Sequence, residues 1–130
     1  MSKTFSLAEA NALIPTVTRL VTELQRLYKV LLEKQRQFAE LERHVKLMGG
    51  VVQPQVGDLG SDIEGTMQEM GERIRDISAL GCELKDIPMG LVDFPSIREN
   101  REVYLCWKLG EPEIRHWHEL STGFAGRQPL

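Results

Sequence analysis

The stretch Ala10–Met48, ANALIPTVTRLVTELQRLYKVLLEKQRQFAELERHVKLM, decides how the rest of the chain must be arranged. Ala10, Leu13, Val17, Leu20, Leu24, Leu27 and Leu31, then Lys34, Phe38, Leu41, Val45 and Met48, recur at steps of three and four residues. That is the seam of one long helix laid along a partner. A seam of this length needs cover from water, so every later element is placed against it.

The seam is wider in its first half, where Ile14, Val21, Tyr28 and Leu32 flank it, than beyond Lys34, where the flanks are Gln35, Gln37, Glu42 and His44. Arg26, Lys29, Arg36 and Arg43 with Glu33 and Glu40 form the opposite, solvated face. Lys34 interrupts the seam, either setting its register or reaching out to water.

Working outward, Ser6 and Glu9 form a capping box with Phe5 placed to staple onto Ala10, so a helix runs over residues 6–48. Pro15 lacks an amide hydrogen and disfavours a helical Ile14, which predicts a kink near residue 15, or else a short leading helix before the long one. Unbroken register across Pro15 favours the kink. Gly49 and Gly50 end this helix, and 51–60 reads as an irregular connection.

A second capping box, Ser61 with Glu64, opens a helix over 61–81 that carries Ile63, Met67, Met70, Ile74, Ile77 and Leu80. The two helices are expected to form an antiparallel hairpin. At ~1.5 Å per residue the first reaches roughly 50–60 Å and the second about 30 Å, which leaves the wide half of the first seam unpaired within the hairpin. The C-terminal region, a second copy of the chain, or both must cover it. A homodimer follows as the expected state, and charging Leu20 and Leu24 is expected to disrupt it.

From Cys82 the pattern changes. Glu83–Ile87, Leu91–Phe94 and Glu102–Leu109 read as a three-stranded antiparallel meander. Val103, Leu105, Trp107 and Leu109 share one face, Tyr104, Cys106 and Lys108 the other, and Asp93 stands alone as an acid in an apolar strand. The expected fold class is therefore α+β: a long antiparallel helical hairpin with a small C-terminal antiparallel β-meander, in one domain spanning 1–130.

The chain has 130 residues, 42% of them apolar, and a net charge of −3. It lacks the basic excess that nucleic-acid binding usually requires. No stretch has the length and apolarity of a bilayer span, and Cys82 and Cys106 stand apart without a CxxC pair, so the cytoplasm is the expected compartment.

The segments Gly90–Pro95 (GLVDFP), Leu105–Glu111 (LCWKLGE), Trp117 with His118, and Gly123–Leu130 (GFAGRQPL), together with Phe5–Pro15 (FSLAEANALIP), resemble an uncharacterised bacterial family, domain of unknown function 2203. The resemblance covers both ends of the chain and implies no activity. Chemistry has to be read from the residues.

The ionisable groups concentrate in Glu111–Arg127, behind a strand bearing Cys106 and the acid Asp93. If 114–120 is extended, His116 and His118 share a face about 6–7 Å apart and can chelate one ion with Glu111 or Asp93. If it is helical they diverge, and one histidine remains. The candidate metal ligands are His118, Glu111, Asp93 and His116, with Cys106 and Arg127 as further site residues and zinc, iron or manganese as the ion.

Gly110, His116 and His118 open a cupin-like pattern that lacks its glutamate, and Thr122 stands where an HExxH motif needs histidine. No GxSxG, P-loop or GxGxxG occurs. A Cys106/His118/Asp93 nucleophile triad is conceivable, though no spacing demands it. The structural alternative makes His118 a buried histidine bonded to a carbonyl, Asp93 and Glu111 internal partners of Arg127 or Arg115, and both tryptophans core residues. Two functions remain: a small dimeric helical-hairpin interaction or scaffold protein without demonstrable enzymatic mechanism, or a divalent-metal-binding protein, a hydrolase included, with its site in the C-terminal motif.

Overall fold

A computed structural model describes residues 3–50 and 54–130. The Ser6–Glu9 capping box forms as expected. The Ser6 hydroxyl accepts from the Glu9 amide at 3.1 Å, and the Glu9 carboxylate accepts from the Ser6 amide at 2.8 Å. It opens α1, Leu7–Ala12.

The helix expected over 6–48 is two helices. Leu13 interrupts it with φ −88° and ψ −10°, and α2 runs Ile14–Leu47. Pro15 thus occupies the first turn of α2, where its missing amide hydrogen leaves no intrahelical bond unmade. The break is one residue wide and Val17 N–H still reaches the Leu13 carbonyl at 2.9 Å, so the seam crosses it without a slip. At the other end Gly50 N–H bonds the Val45 carbonyl at 2.8 Å, closing α2 at the expected glycine pair.

α3 spans Pro54–Ala79 and starts seven residues before the expected Ser61. Residues 51–53 of the expected connection lie outside the described residues, but 54–60 are helical. Pro54 suits the first position of a helix. Glycines cost a helix about 1 kcal/mol each, and Pro54 with Gly57 read as loop; Gly60 lies beside the Phe38 ring, where an added Cβ would sit 3.7 Å from Cε2.

The strands form a single antiparallel meander in sequence order: β1 (Glu83–Asp86), β2 (Leu91–Arg98), β3 (Arg101–Lys108), β4 (His116–His118) and β5 (Gln128–Pro129). The sheet therefore has five strands where three were expected, and 114–120 is extended at its centre. β2 continues past Phe94 because Pro95 breaks no ladder bond. Its carbonyl accepts the Phe5 amide at 2.7 Å on the side away from β3, and the absent Pro95 N–H falls on that same side. Glu99 and Asn100, both with positive φ, make the tight β2–β3 turn.

The chain divides into two compact units. The first comprises the residues up to Gln25 and Arg73–Leu130; the second is Arg26–Glu72. In the first, Val92, Phe94, Val103, Leu105, Trp107 and Trp117 of one sheet face are buried together with Ile14, Val17, Val21 and Leu24 of α2 and Ile77 of α3. Phe5 meets Phe94 edge-on at 5.5 Å, the Gln25 amide donates to the Ile87 and Pro88 carbonyls at 3.0 Å, and the Asn11 side chain accepts the Ile114 amide at 2.8 Å. The C-terminal sheet thus covers the seam from Ile14 to Leu24. Leu24, expected at a dimer surface, is 0% exposed, and a charge there would attack the fold itself.

In the second unit α2 and α3 form the antiparallel hairpin, with Leu27, Leu31, Thr66 and Met70 buried. Lys34 neither ends in water nor stays unpaired. Its ammonium donates to the Thr66 hydroxyl at 3.1 Å, and that hydroxyl donates to the Asp62 carbonyl at 3.0 Å. The solvated face carries the expected Glu33–Arg36–Glu40 ladder. Among the described residues no helix is long and apolar enough to cross a membrane.

Gly90 sits where the start of β2 meets α2. It has φ +68°, and an added Cβ would lie 2.6 Å from Leu109 Cβ and 3.4 Å from both Val21 Cγ1 and Gln25 Nε2. Leu109 Cβ is rigidly attached to backbone that bonds the Gly90 carbonyl at 2.9 Å, so it cannot withdraw. Gly90→Ala is expected to cost about 2–4 kcal/mol from left-handed strain and overpacking. Urea denaturation measures this directly, and a loss below about 0.5 kcal/mol would contradict the contact.

Candidate functional site

Strand alternation places the chemistry on the sheet face opposite the core. Register pairs Glu83 with Asp93, Asp93 with Cys106, Cys106 with His116, and Tyr104 with His118, so all six side chains emerge on one side. Val92, Phe94, Leu105, Trp107 and Trp117 take the other side and fix the strands from behind.

His118 is 1% exposed, and both its ring nitrogens are engaged. Nδ1 lies 2.7 Å from the Glu119 carbonyl oxygen, which can only accept, so Nδ1 carries a hydrogen. Nε2 lies 3.0 Å from each oxygen of Asp93. A bare carboxylate facing a bare nitrogen lone pair would repel it, so one proton lies between the two groups. Burial pushes the Asp93 carboxyl above its ordinary value, opposed by the hydrogen bond and charge of His118.

Cys106 completes this cluster. Ligating atoms of Asp93, Cys106 and His118 all lie within 4.8 Å of one another, and all three residues are buried. Burial first, and then the Asp93 charge, push the thiol up to about 11, while Arg127 acts to lower it. Cys106 is accordingly a protonated thiol at neutral pH in the absence of an ion. Since His118 has no nitrogen left to take that proton, the nucleophile-triad arrangement does not form.

The other two ligand candidates stand apart from this trio. Glu111 is gripped by the Arg127 fork at 3.1 and 3.0 Å and accepts the Lys108 amide at 2.7 Å. His116 Nδ1 is 3.9 Å from the same carboxylate and has no hydrogen-bond partner among the described residues. Burial alone would raise the Glu111 carboxyl, but the Arg127 and Lys108 bonds outweigh it and hold it below its ordinary value. The structure therefore splits the four expected ligands into Asp93 with His118, joined by Cys106, and Glu111 with His116, joined by Arg127. Trp107 and Trp117 are core residues, and the Trp107 indole donates to the Glu111 carbonyl at 2.9 Å.

The trio lines a pocket of about 260 Å³ whose remaining walls include Lys85, Leu91, Tyr104, Leu120 and Phe124. The Tyr104 hydroxyl donates to Glu83 at 3.0 Å, its ring lies 5.4 Å from that of His118, and the Lys85 ammonium sits 4.7 Å above it. Phe124 is stacked under the Arg127 guanidinium at 4.5 Å, which ties the pocket wall to Glu111. The sequence had placed Tyr104 on the Cys106 face without marking it as a site residue; the period of two running back from Cys106 was the available signal. Phe124 lay in the quoted segment Gly123–Leu130 without being singled out, and nothing in the sequence pointed to Lys85.

Truncating His118 to alanine leaves Asp93 buried without its partner and is expected to cost about 3–5 kcal/mol. Arg127→Gln is expected to cost about 1–3 kcal/mol at neutral pH. Because Glu111 is lowered in the folded chain, that cost is fully present above the ordinary glutamate value of about 4.3 and vanishes as pH falls through the folded value. Urea titrations of both variants across the acid range check these signs, and an Arg127→Gln cost that grows on acidification would contradict the assignment.

No curated protein and no solved structure matches the chain. A family model described as an uncharacterized conserved protein does match, over residues 3–130, which is nearly the whole chain and includes every residue of the pocket. The chain belongs to the DUF2203 family.

Proposed function

We propose that the protein binds a divalent transition-metal ion, zinc in the first place, through Asp93, Cys106 and His118, and that the pocket in front of the ion receives a small substrate for metal-assisted hydrolysis. The observation that carries this reading is the convergence of three different donor atoms, O, S and N, within 4.8 Å at the wall of an open pocket. Tetrahedral zinc with bonds of about 2.0–2.3 Å sets its ligands roughly 3.5 Å apart, so small side-chain adjustments suffice. Three protein ligands with the fourth position facing a cavity is the arrangement of catalytic rather than structural zinc.

The environment of His118 supports the same reading. A ligating histidine usually anchors its other ring nitrogen on a carbonyl or carboxylate, and Nδ1 already donates to Glu119. The proton between Nε2 and Asp93 occupies the place of the cation, and the Cys106 thiol, protonated without an ion, becomes a thiolate on coordination. The bound ion supplies Lewis acidity. Lys85 and Tyr104 stand on the pocket wall to orient a polar group, and Leu91, Leu120 and Phe124 offer it an apolar lining.

The test is elemental analysis of protein purified without affinity tag or chelator, followed by cobalt(II) replacement. Equimolar zinc, and a thiolate-to-cobalt charge-transfer absorption abolished by Cys106→Ser, is the expected result. Metal content that is substoichiometric, or unchanged in His118→Ala, would overturn the proposal.

A further inference from the structure

The hairpin unit carries a second, independent signal. Its helices bury Leu27, Leu31, Thr66 and Met70, but further along Phe38, Leu41 and Val45 of α2 and Val56, Leu59 and Ile63 of α3 are only half-buried. Two helices alone cannot enclose a seam, because each apolar stripe is wider than the contact it makes with one neighbour. Leu32 is 48% exposed and Met67 54%. In antiparallel neighbours, one residue beyond an inward position turns both helices toward the same side. Leu32 follows buried Leu31 and Met67 follows buried Thr66, so both project from one side of the hairpin.

The charges identify what fits there. Arg26–Leu47 holds six Lys or Arg against three Glu, whereas Pro54–Glu72 holds five Asp or Glu and no Lys or Arg. Around their helices, Arg43 and Lys46 of α2 lie within about 40° of Leu32 and Glu64 of α3 lies about 60° from Met67; all three are exposed and form no ion pair among the described residues. One helix of the unit is thus basic and the other acidic, and each has charge to spare.

We propose that this side of the hairpin binds a second copy of the chain. A two-fold axis running along the hairpin lays α2 of one copy on α3 of the other, antiparallel, and makes a four-helix bundle. That placement joins basic to acidic helix twice, while Leu32 and Met67 of each copy enter a shared apolar centre. An unrelated protein would need both a matching apolar strip and a matching charge split; a second copy has them by construction.

Sedimentation or light scattering of the full chain tests this, with circular dichroism to confirm that each variant remains folded. The wild type is expected to sediment as a dimer. Leu32→Glu with Met67→Glu, both exposed in the single chain, is expected to weaken association roughly thirtyfold or more without loss of helicity. A chain bearing Glu64→Lys should associate more weakly with itself, yet pair with one bearing Arg43→Glu and Lys46→Glu. A wild type that stays monomeric, a Leu32/Met67 variant that stays as dimeric as the wild type, or charge variants that fail to pair with each other would each overturn the arrangement.

Discussion

Asp93 is an acid placed in the middle of a strand whose neighbours Val92 and Phe94 are fully buried, and it is itself 3% exposed. A carboxyl in that position is costly unless it is paired, and His118 is the group that pairs with it. Much follows from this one contact. It brings β4, only three residues long, against β3 in a register that puts His118 opposite Tyr104 and His116 opposite Cys106. It orients the imidazole so that Nδ1 meets the Glu119 carbonyl, and it leaves the segment after Glu119 to turn back over the sheet and wall the pocket.

The C-terminal tail consolidates that arrangement. Arg127 locks Glu111 and stacks on Phe124, β5 pairs with β4, and the Leu130 amide reaches the Arg115 carbonyl at 2.9 Å. Two ionic clusters therefore lie side by side on one sheet face with different tasks. Glu111 and Arg127 hold backbone and pocket wall in place, while Asp93, Cys106 and His118 present their donors to a common point. The donors themselves are buried at the wall of the pocket, beneath the segment that follows Glu119.

Local signals carried the fold well and the site less well. The capping box at Ser6, the glycine stop after α2, the seam and the in–out alternation of β3 each depend on residues close together in sequence, and each was legible. Pro54 and Gly57 read as a connection because of their residue types, yet Pro54 opens the helix, where its missing amide hydrogen leaves no intrahelical bond unmade, and Gly60 beyond it lies against Phe38. β4 and β5 are too short for alternation to register. Asp93 and His118 stood out as candidates because of their chemical types, but whether Glu111 or Cys106 lies beside them depends on how β4 pairs with β3. That register is set by long-range contacts, the Asp93–His118 bond foremost, which no local pattern encodes.

Asp93, Cys106 and His118 are proposed to surround a single cation position on the sheet face. Anomalous scattering from crystals of the zinc-loaded protein, recorded on both sides of the zinc absorption edge, tests it most directly. One peak is predicted, about 2.0–2.3 Å from a carboxylate oxygen of Asp93, Sγ of Cys106 and Nε2 of His118, with Nδ1 still on the Glu119 carbonyl. An intact Asp93–His118 bond with no peak beside it would contradict the account and leave the pair as a purely structural bridge.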